Sequence, residues 1–460
     1  MTNNIIANYH SAFKDADIRG VYPTEIDEEV AYLVARAFVD EFKLKKVLVA
    51  RDMRLSSGSL YKAFCTGVVD AGAQVIDIGL VSTPILYFAS GSKNLPGVVI
   101  TASHSPKQYN GLKLVLPGAV PLTEKHGLGA IRKRIDKGVF ALAKKPGKIT
   151  KQDFQASYLK FVTKGLKTKA WPKLKLAVDC GNGMSAVVIP LLKSKLPIKF
   201  TTLYDKLDGN FPNRGSDPTL KKNQKGITKL LKTNSHDFGI SFDGDADRIA
   251  FFDETGKYIN SAVIGALVAK RMLKQHPKAK FIYTNLTSRV YEETIKEFGG
   301  KAVPARVGHA FIKETMRQMD VLFACEHSGH FYFKEYFYTD SVTLTLLYVL
   351  EAYLEAKSTG VSFSSMIKPY LKYEQTEDVI VEVKDKHKAL EQVHEYLLKK
   401  SPLTIKKFDG YAVDFGEVWG SVKISVTEHA LKMMFESRQK KLAQALQDDI
   451  VHFVKGIADD

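Results

Sequence analysis

The sequence predicts an α/β protein: three topologically similar α/β domains with mixed sheets, then a smaller C-terminal α+β domain, set around a central cleft. Two observations lead there. Apolar, β-branched runs alternate with stretches of helical periodicity through most of the chain. In each of the first three blocks one such run stops at a polar, chemically rich loop: "GVVITASHS", "DFGISFDGDAD" and "VLFACEHSGH". Open α/β sheets bind ligands at the carboxyl ends of their strands, where loops and helix N-termini converge. Three such loops in one chain therefore predict a shared cleft.

The elements follow in order. "KKVLVA" (45–50) reads as a strand, "SLYKAFCTGVVDAG" as a helix, "AQVIDIG" as a strand, "TPILYFAS" as a short helix and "GVVIT" as a strand. The second block runs "KLKLAVDC", Gly181-Asn182-Gly183, a helix "SAVVIPLLKS", and the strands "FTTLYD" and "DFGISF". The third has the helix "AVIGALVAKRMLKQ", the strand "KFIYTN", the helices "SRVYEETIKEFG" and "HAFIKETMRQM", and the strand "VLFAC". The last hundred residues change character: "DVIVEVKD", a helix "HKALEQVHEYLLKK", the run "GSVKISVTEHALKMMFES" and a closing amphipathic helix. Joints at Pro172, Gly256 and "KSTGVS" help divide the chain into domains at 1–150 (the Ser103 loop), 151–256 (the acidic loop), 257–365 (the loop at Glu326) and 366–460.

With 460 residues the chain has ample length for several cores, and 45% apolar with 25% charged residues is the balance of a globular protein. The N-terminus carries no apolar stretch behind a basic start, and no run of about 18 apolar residues occurs, so neither a secretory signal nor a membrane span is expected. The three cysteines, Cys65, Cys180 and Cys325, lack metal-ligand spacing and read as free thiols in a reducing cytoplasm. The net charge of +17 admits nucleic acid, anionic membranes or phosphorylated small molecules. Zinc-finger spacing, heptads behind a basic region and an RRM-type aromatic signature are all missing, which argues against nucleic acid.

The acidic loop "SFDGDADRIAFFDETGK" is the sharpest signal. Asp243, Asp245 and Asp247 place three carboxylates within five residues after a buried strand, where they repel unless a cation lies among them. Their hard oxygens favour Mg²⁺ or Ca²⁺ over zinc. An EF-hand is excluded because Arg248 stands where that loop needs glycine and strands flank it. The nucleophile loop of HAD-type phosphatases is a nearer rival, weakened by Asp247 where that loop carries Thr or Val. Arg248 suits a phosphoryl oxygen or a local ion pair.

In "CEHSGHFYF" the alternation of Glu326, Ser328 and His330 predicts an extended segment presenting all three to one side, fit for sugar hydroxyls. His309 opens a helix behind Arg306 and Gly308. For Ser103, an acyl-transfer dyad with His104 is geometrically poor, since neighbours in an extended loop point apart. A phosphoryl group carried by Ser103 opposite the acidic loop is the better reading. Lys113, ten residues on in the returning strand, is placed to move a substrate proton.

Assembled, these residues closely resemble the α-D-phosphohexomutases, specifically bacterial phosphomannomutase/phosphoglucomutase. The resemblance runs nearly end to end through "FKDADIRGVYPTEI", "ARDMRLSSG", "TASHSPKQYNGLK", "DPT", "FDGDADRIAFFDETG", "TSRVYEE", "RVGHAFIK" and "CEHSGHFYFKEYFYTDS". It implies four domains around one cleft and a mutase that exchanges hexose 1-phosphate and 6-phosphate of mannose or glucose through a hexose 1,6-bisphosphate. It further implies Ser103 as the phosphoserine, and Mg²⁺ held by Ser103, Asp243, Asp245 and Asp247. Arg19, His104, Lys113 and Arg248 would line the transfer site, Lys113 as general acid/base. Arg306, Gly308, Glu326, Ser328 and His330 would hold the sugar, with His309 close by. A cytoplasmic monomer acting on sugar phosphates, with no nucleic acid and no membrane partner, is the implied setting. Phosphoglucosamine mutase, or a degenerate sugar-phosphate binder without turnover, are the alternatives.

The departures are specific. Relatives read Ser-His-Asn-Pro where this chain has Ser105, commonly a lysine where it has Leu286, and often a tyrosine where it has Ala16. The phosphate loop of the fourth domain, usually close to Arg-x-Ser-Asn-Thr-x-Pro, is "KISVTEH" here, leaving Lys423, Ser425 and Thr427 as phosphate ligands. Lys423 offers a point charge instead of a planar fork and Val426 no amide, so weaker binding of the distal phosphate is expected.

Overall fold

The structure is a computed structural model that describes residues 9–425 and 429–458. Two compact units emerge, Met1–Ile259 with Ser328–Ser364, and Asn260–His327 with Ser365–Asp460. Among the described residues no helix is long and apolar enough to cross a membrane.

The first unit opens with a mixed sheet ordered Ile18–Val21, Tyr109–Leu116, Gly97–Ile100, Lys46–Arg51, Gln74–Leu80, Ile149–Lys151. Lys46–Arg51 runs parallel to both Gln74–Leu80 and Gly97–Ile100, whereas Gly97–Ile100 and Tyr109–Leu116 form an antiparallel pair with Val99 opposite Lys113. Helices cover both faces, so the central strands Val47–Ala50 and Val98–Ile100 are buried throughout instead of alternating. The helix Glu28–Phe42 starts where Asp27 accepts the N–H of Val30 and ends at left-handed Lys43. Its apolar stripe, Val30, Val34 and Phe38, meets Leu60 and Phe64 of the helix Ser57–Asp70 in one core. Gly67 makes that contact possible, because a Cβ there would lie 2.5 Å from the Tyr32 carbonyl. Burying a side chain such as Phe64 contributes about 1.5–3 kcal/mol. The helix Glu28–Phe42 and the strand Ile18–Val21 precede the first strand read from the sequence.

A second sheet in the same unit is ordered Tyr258–Ile259, Ile249–Phe252, Phe238–Phe242, Leu174–Asp179, Ile198–Leu203. Phe238–Phe242 is parallel to Leu174–Asp179 and antiparallel to Ile249–Phe252, so the acidic loop 243–248 joins two buried strands. The hairpin Phe331–Phe333 with Thr339–Asp340 and the long helix Val342–Lys357 also belong here. Tyr158 and Tyr336 bond to Thr343 and to the Pro84 carbonyl, tying that segment to the helices Gln155–Val162 and Thr83–Lys93.

In the second unit Lys280–Tyr283 lies between Lys301–Pro304 and Phe323–Cys325, all parallel. Its C-terminal part is antiparallel, ordered Glu374–Gln375, Ala430–Ser437, Val418–Ile424, Tyr411–Asp414, Thr404–Lys407, with Val379–Glu382 also on Ala430–Ser437. The helices Lys386–Lys399 and Lys440–Gly456 pack Val393, Leu397, Ile450 and Val454 onto one face of it. This is the α+β module expected from the change in pattern after residue 366.

Candidate functional site

The strand Gly97–Ile100 stops at a tight loop rather than an extended one. Ser103 has φ 49°, in the left-handed region that non-glycine residues rarely adopt. That turn corrects the expectation that Ser103 and His104 point apart: Ser103 Oγ lies 3.4 Å from His104 Nδ1, near but beyond a good hydrogen bond. The same hydroxyl, in a residue 2% exposed, donates to Asp243 Oδ2 at 2.7 Å and lies 3.5 Å from Asp247 Oδ1.

The acidic loop folds back so that Asp243 Oδ1 accepts the N–H groups of Asp247 and Arg248, each at 3.1 Å. Asp243, Asp245 and Asp247 are all buried, and each offers an oxygen within 4.8 Å of the others. Asp245 Oδ2 accepts from Thr83 Oγ1 at 2.5 Å and Lys113 Nζ at 2.8 Å, while its buried Oδ1 has no hydrogen-bond partner. An orphaned buried carboxylate oxygen between two further carboxylates is costly unless a cation takes it up. The residues thus fit a hard divalent ion.

The charges around the trio follow from burial. Desolvation and the two neighbouring carboxylates push Asp243 well above the usual carboxylate range. Burial acts the same way on Asp247, yet Lys113 and then His330 hold it well below. Lys113 Nζ bridges Asp245 and Asp247, and although burial opposes its charge, the two carboxylates keep it well above the ordinary lysine value. His104 is driven well below the usual histidine range by burial and by the positive charges of Arg248 and Arg19. Burial pushes the thiols of Cys65 and Cys180 up to about 12, so neither is a thiolate nucleophile.

Arg248 reaches His330, whose Nε2 lies 3.4 Å from Arg248 Nε and 3.2 Å from Asp247 Oδ1, and Ser328 Oγ pairs with His330 Nδ1 at 3.0 Å. Ser328 and His330 therefore join the serine and aspartate loops in the first unit. Residues 327–329 form a turn with Gly329 at φ 89°, not the extended segment expected from the alternation. A Cβ on Gly329 would lie 3.0 Å from the Ile249 carbonyl, and the chain turns there to pass it. Arg19 pairs with Asp17 and donates to Ser105 Oγ at 3.1 Å, beside the serine loop.

The remaining sequence candidates lie in the second unit. Glu326 is buried and accepts the N–H of Gly308 at 3.1 Å. Gly308, at φ 125°, is the cap of the helix His309–Met319, so His309 is its first residue and not the cap. Arg306 lies 4.1 Å over the Phe311 ring and 3.6 Å from Asp409. Lys423, 3% exposed, pairs with the same Asp409, and Ser425 donates its N–H to the Ala430 carbonyl. Burial holds the Lys423 ammonium below the ordinary lysine value, with Asp409 opposing. Thr427 lies outside the described residues.

Sequence reasoning missed four contributors. Asp409, in the turn "FDG", gathers Lys423, Arg306 and the Val307 N–H at 3.0 Å. Thr83 opens the helix Thr83–Lys93 and binds Asp245 through both N–H and hydroxyl. Ser216 donates to the carbonyls of His104 and Ser105 at 2.5 and 2.9 Å. Arg54 donates to four carbonyls, three in the serine loop and that of Tyr109. Asp52-x-Arg54 directly follows the strand Lys46–Arg51, the position where an α/β sheet collects its ligand loops, and that was the available signal.

Comparison with known proteins matches three stretches of the chain. Residues 10–141, 156–256 and 260–373 match the family descriptions "Phosphoglucomutase/phosphomannomutase, alpha/beta/alpha domain I", "domain II" and "domain III", respectively. The chain is 32% identical over 446 residues to a phosphomannomutase of Methanocaldococcus jannaschii, covering 96% of this chain and 97% of that one. It is 34% identical over 440 residues to a phosphomannomutase/phosphoglucomutase of Pseudomonas aeruginosa, covering 93% and 92%. Among solved structures, a phosphoglucomutase/phosphomannomutase family protein of Burkholderia thailandensis superposes with a TM-score of 0.89 at 28% identity, over 99% of each chain.

Proposed function

The chain belongs to the phosphoglucomutase/phosphomannomutase family, and from that premise we propose that it exchanges the 1- and 6-phosphates of mannose and glucose through a phosphoserine at Ser103. It is a hexose-phosphate mutase. The observation that carries the phosphoserine assignment is the buried Ser103 hydroxyl, 2.7 Å from Asp243 within a trio of carboxylates.

In the forward half-reaction the bond from phosphorus to Ser103 Oγ breaks and one to a sugar hydroxyl forms. The hydroxyl proton leaves to a base of the site, and Ser103 Oγ takes up a proton. A hexose 1,6-bisphosphate results. Its other phosphate then returns to Ser103 in the reverse sense, so no proton or phosphate is consumed. Lys113, paired with Asp247, is assigned the proton exchange as general acid/base, and His104 lies beside Ser103 Oγ. Arg248 and Arg19 offer donors to phosphoryl oxygens. Asp243, Asp245 and Asp247, with Ser103, would hold a divalent cation, magnesium by the hardness of the donors, which when bound neutralises charge on the transferring phosphoryl oxygens.

Arg306, Gly308, His309, Glu326, Ser328 and His330 are assigned to the sugar, and Lys423 and Ser425 to its far phosphate. A trace of hexose 1,6-bisphosphate is the expected activator. The domains are assigned to 1–150, 151–256, 257–365 and 366–460. A cytoplasmic monomer completes the reading; three buried cysteines outside any disulfide support the compartment.

The test is ³¹P NMR of the protein with Mg²⁺ and a trace of hexose 1,6-bisphosphate, offered mannose 1-phosphate, glucose 1-phosphate and glucosamine 1-phosphate in turn. Growth of a 6-phosphate signal from the first two, abolished by S103A, is the expected result. Conversion of glucosamine 1-phosphate alone would overturn the sugar assignment, and inorganic phosphate alone would replace the mutase by a phosphatase.

A further inference from the structure

Arg54 is buried, its side chain 0% exposed, and each of its guanidinium nitrogens faces an acceptor. One terminal nitrogen donates to the carbonyls of Pro106 and Tyr109, both at 2.9 Å. The other donates to the carbonyls of Ser103 and Ser105, at 2.8 and 2.6 Å. Nε lies 3.3 Å from Asp52 Oδ2, an ion pair without a hydrogen bond, and Asp52 is itself fixed by Ser57 Oγ and the Arg54 N–H. The guanidinium carbon lies 5.2 Å over the Phe211 ring, and the tip of Phe211 comes close to Gly244 of the acidic loop. Three of these acceptors are carbonyls of the loop that carries Ser103 and the fourth opens the strand Tyr109–Leu116, while no hydrogen bond runs from Arg54 to the Ser103 hydroxyl.

A planar fork with two terminal NH2 groups can hold four divergent carbonyls together; an ammonium with three donors cannot. The loop needs such a hold because left-handed Ser103 is a strained backbone that persists only where its surroundings fix it. With φ set and the Ser103 carbonyl pinned, the Cα–Cβ bond is directed, and the 2.7 Å hydrogen bond to Asp243 fixes Oγ on it.

We propose that Arg54 is the positioning residue of the phosphoryl-transfer step, holding the serine loop so that Ser103 Oγ faces the three aspartates. The proposal rests on the reading of Ser103 as the phosphate carrier. Its action is on the geometry of the reacting oxygen, not on binding of the sugar.

R54K keeps the charge and removes the fork. The expected result is a folded protein with the wild-type far-UV circular dichroism spectrum, a KM for hexose 1-phosphate within about threefold of wild type and a kcat lower by about 100-fold. Uptake of phosphate by Ser103 from hexose 1,6-bisphosphate falls in parallel. R54A with added guanidinium regains part of the lost kcat, as a merely structural loss does not. A kcat within about threefold of wild type overturns the proposal, as does a rise in KM that accounts for the whole loss. An R54K chain that does not fold also overturns it, making Arg54 a determinant of the fold alone. S103A is assayed beside it: full turnover there removes the phosphoserine reading itself, whatever Arg54 does.

Discussion

Gly244 lies directly under the carbonyl of Ser103: a Cβ on Gly244 would stand 2.5 Å from that oxygen. The acidic loop and the serine loop meet backbone to backbone at this point, and no flexible side chain can yield. G244A is expected to force the loops apart, costing about 1–3 kcal/mol of stability and lengthening the Ser103–Asp243 approach. Thermal melts and the mutase assay together check it; wild-type activity in G244A would refute the close approach.

Removal of metal has a signed outcome. A cation bound to the three aspartates only in the folded protein adds about 2.7 kcal/mol at a hundred times its Kd. Chelator is therefore expected to lower Tm, and Mg²⁺ to restore it in a concentration-dependent way. D245N, which replaces the carboxylate carrying the orphaned oxygen, is expected to abolish most of that Mg²⁺ response.

Lys113 is the ammonium that bridges Asp245 and Asp247. K113M leaves two buried carboxylates without it, a loss of about 3–5 kcal/mol when no cation compensates. The expected signature is a large fall in Tm in chelator and a smaller one in Mg²⁺, with turnover lost in both. Equal falls under the two conditions would show that Lys113 and the metal do not share the same carboxylates.

Lys423 tests the altered phosphate loop. K423A is expected to raise KM for the sugar phosphate by about tenfold or more with less effect on kcat, the pattern of a lost ground-state contact. An unchanged KM would remove Lys423 from the substrate's far end.

Glu254 supplies a pH dependence away from the reacting groups. Burial works against its charge, but the hydroxyl and N–H of Ser364, with Ser362, hold its carboxyl below the ordinary glutamate value. A depressed carboxylate contributes stability that is present above the unfolded value, about 4.3, and lost as pH falls through the folded one. The Tm difference between wild type and E254Q is expected to be constant near neutrality and to shrink below about pH 4. A difference independent of pH would mean that the ionised form is not what Ser364 holds.

Much of this was legible in the chain. Strand–helix alternation located the core strands of the first two sheets, Lys46–Arg51, Gln74–Leu80, Gly97–Ile100, Leu174–Asp179, Ile198–Leu203 and Phe238–Phe242, because they are apolar runs bounded by polar loops, but not the helices Glu28–Phe42 and Lys225–Thr233. Asp243, Asp245 and Asp247 were legible because three carboxylates at that spacing need a common explanation. The turn at His327–Gly329 was not: period-2 alternation and a turn place Glu326, Ser328 and His330 at the same spacing, and only the close approach to Ile249 decides between them. Arg54 and Asp409 were missed as functional residues for a different reason. Each acts on acceptors or donors distant in sequence, 49 to 55 residues away for Arg54, whose only local mark is its place just after the strand Lys46–Arg51.

The left-handed backbone at Ser103 also narrows which nucleophiles the position can carry. Serine and threonine have the same alcohol chemistry, but a branched Cβ is a true outlier at positive φ. Threonine would either drag the loop out of Arg54's grasp or point its hydroxyl elsewhere. The choice between two chemically equivalent alcohols is thus made by one torsion angle, before any substrate arrives.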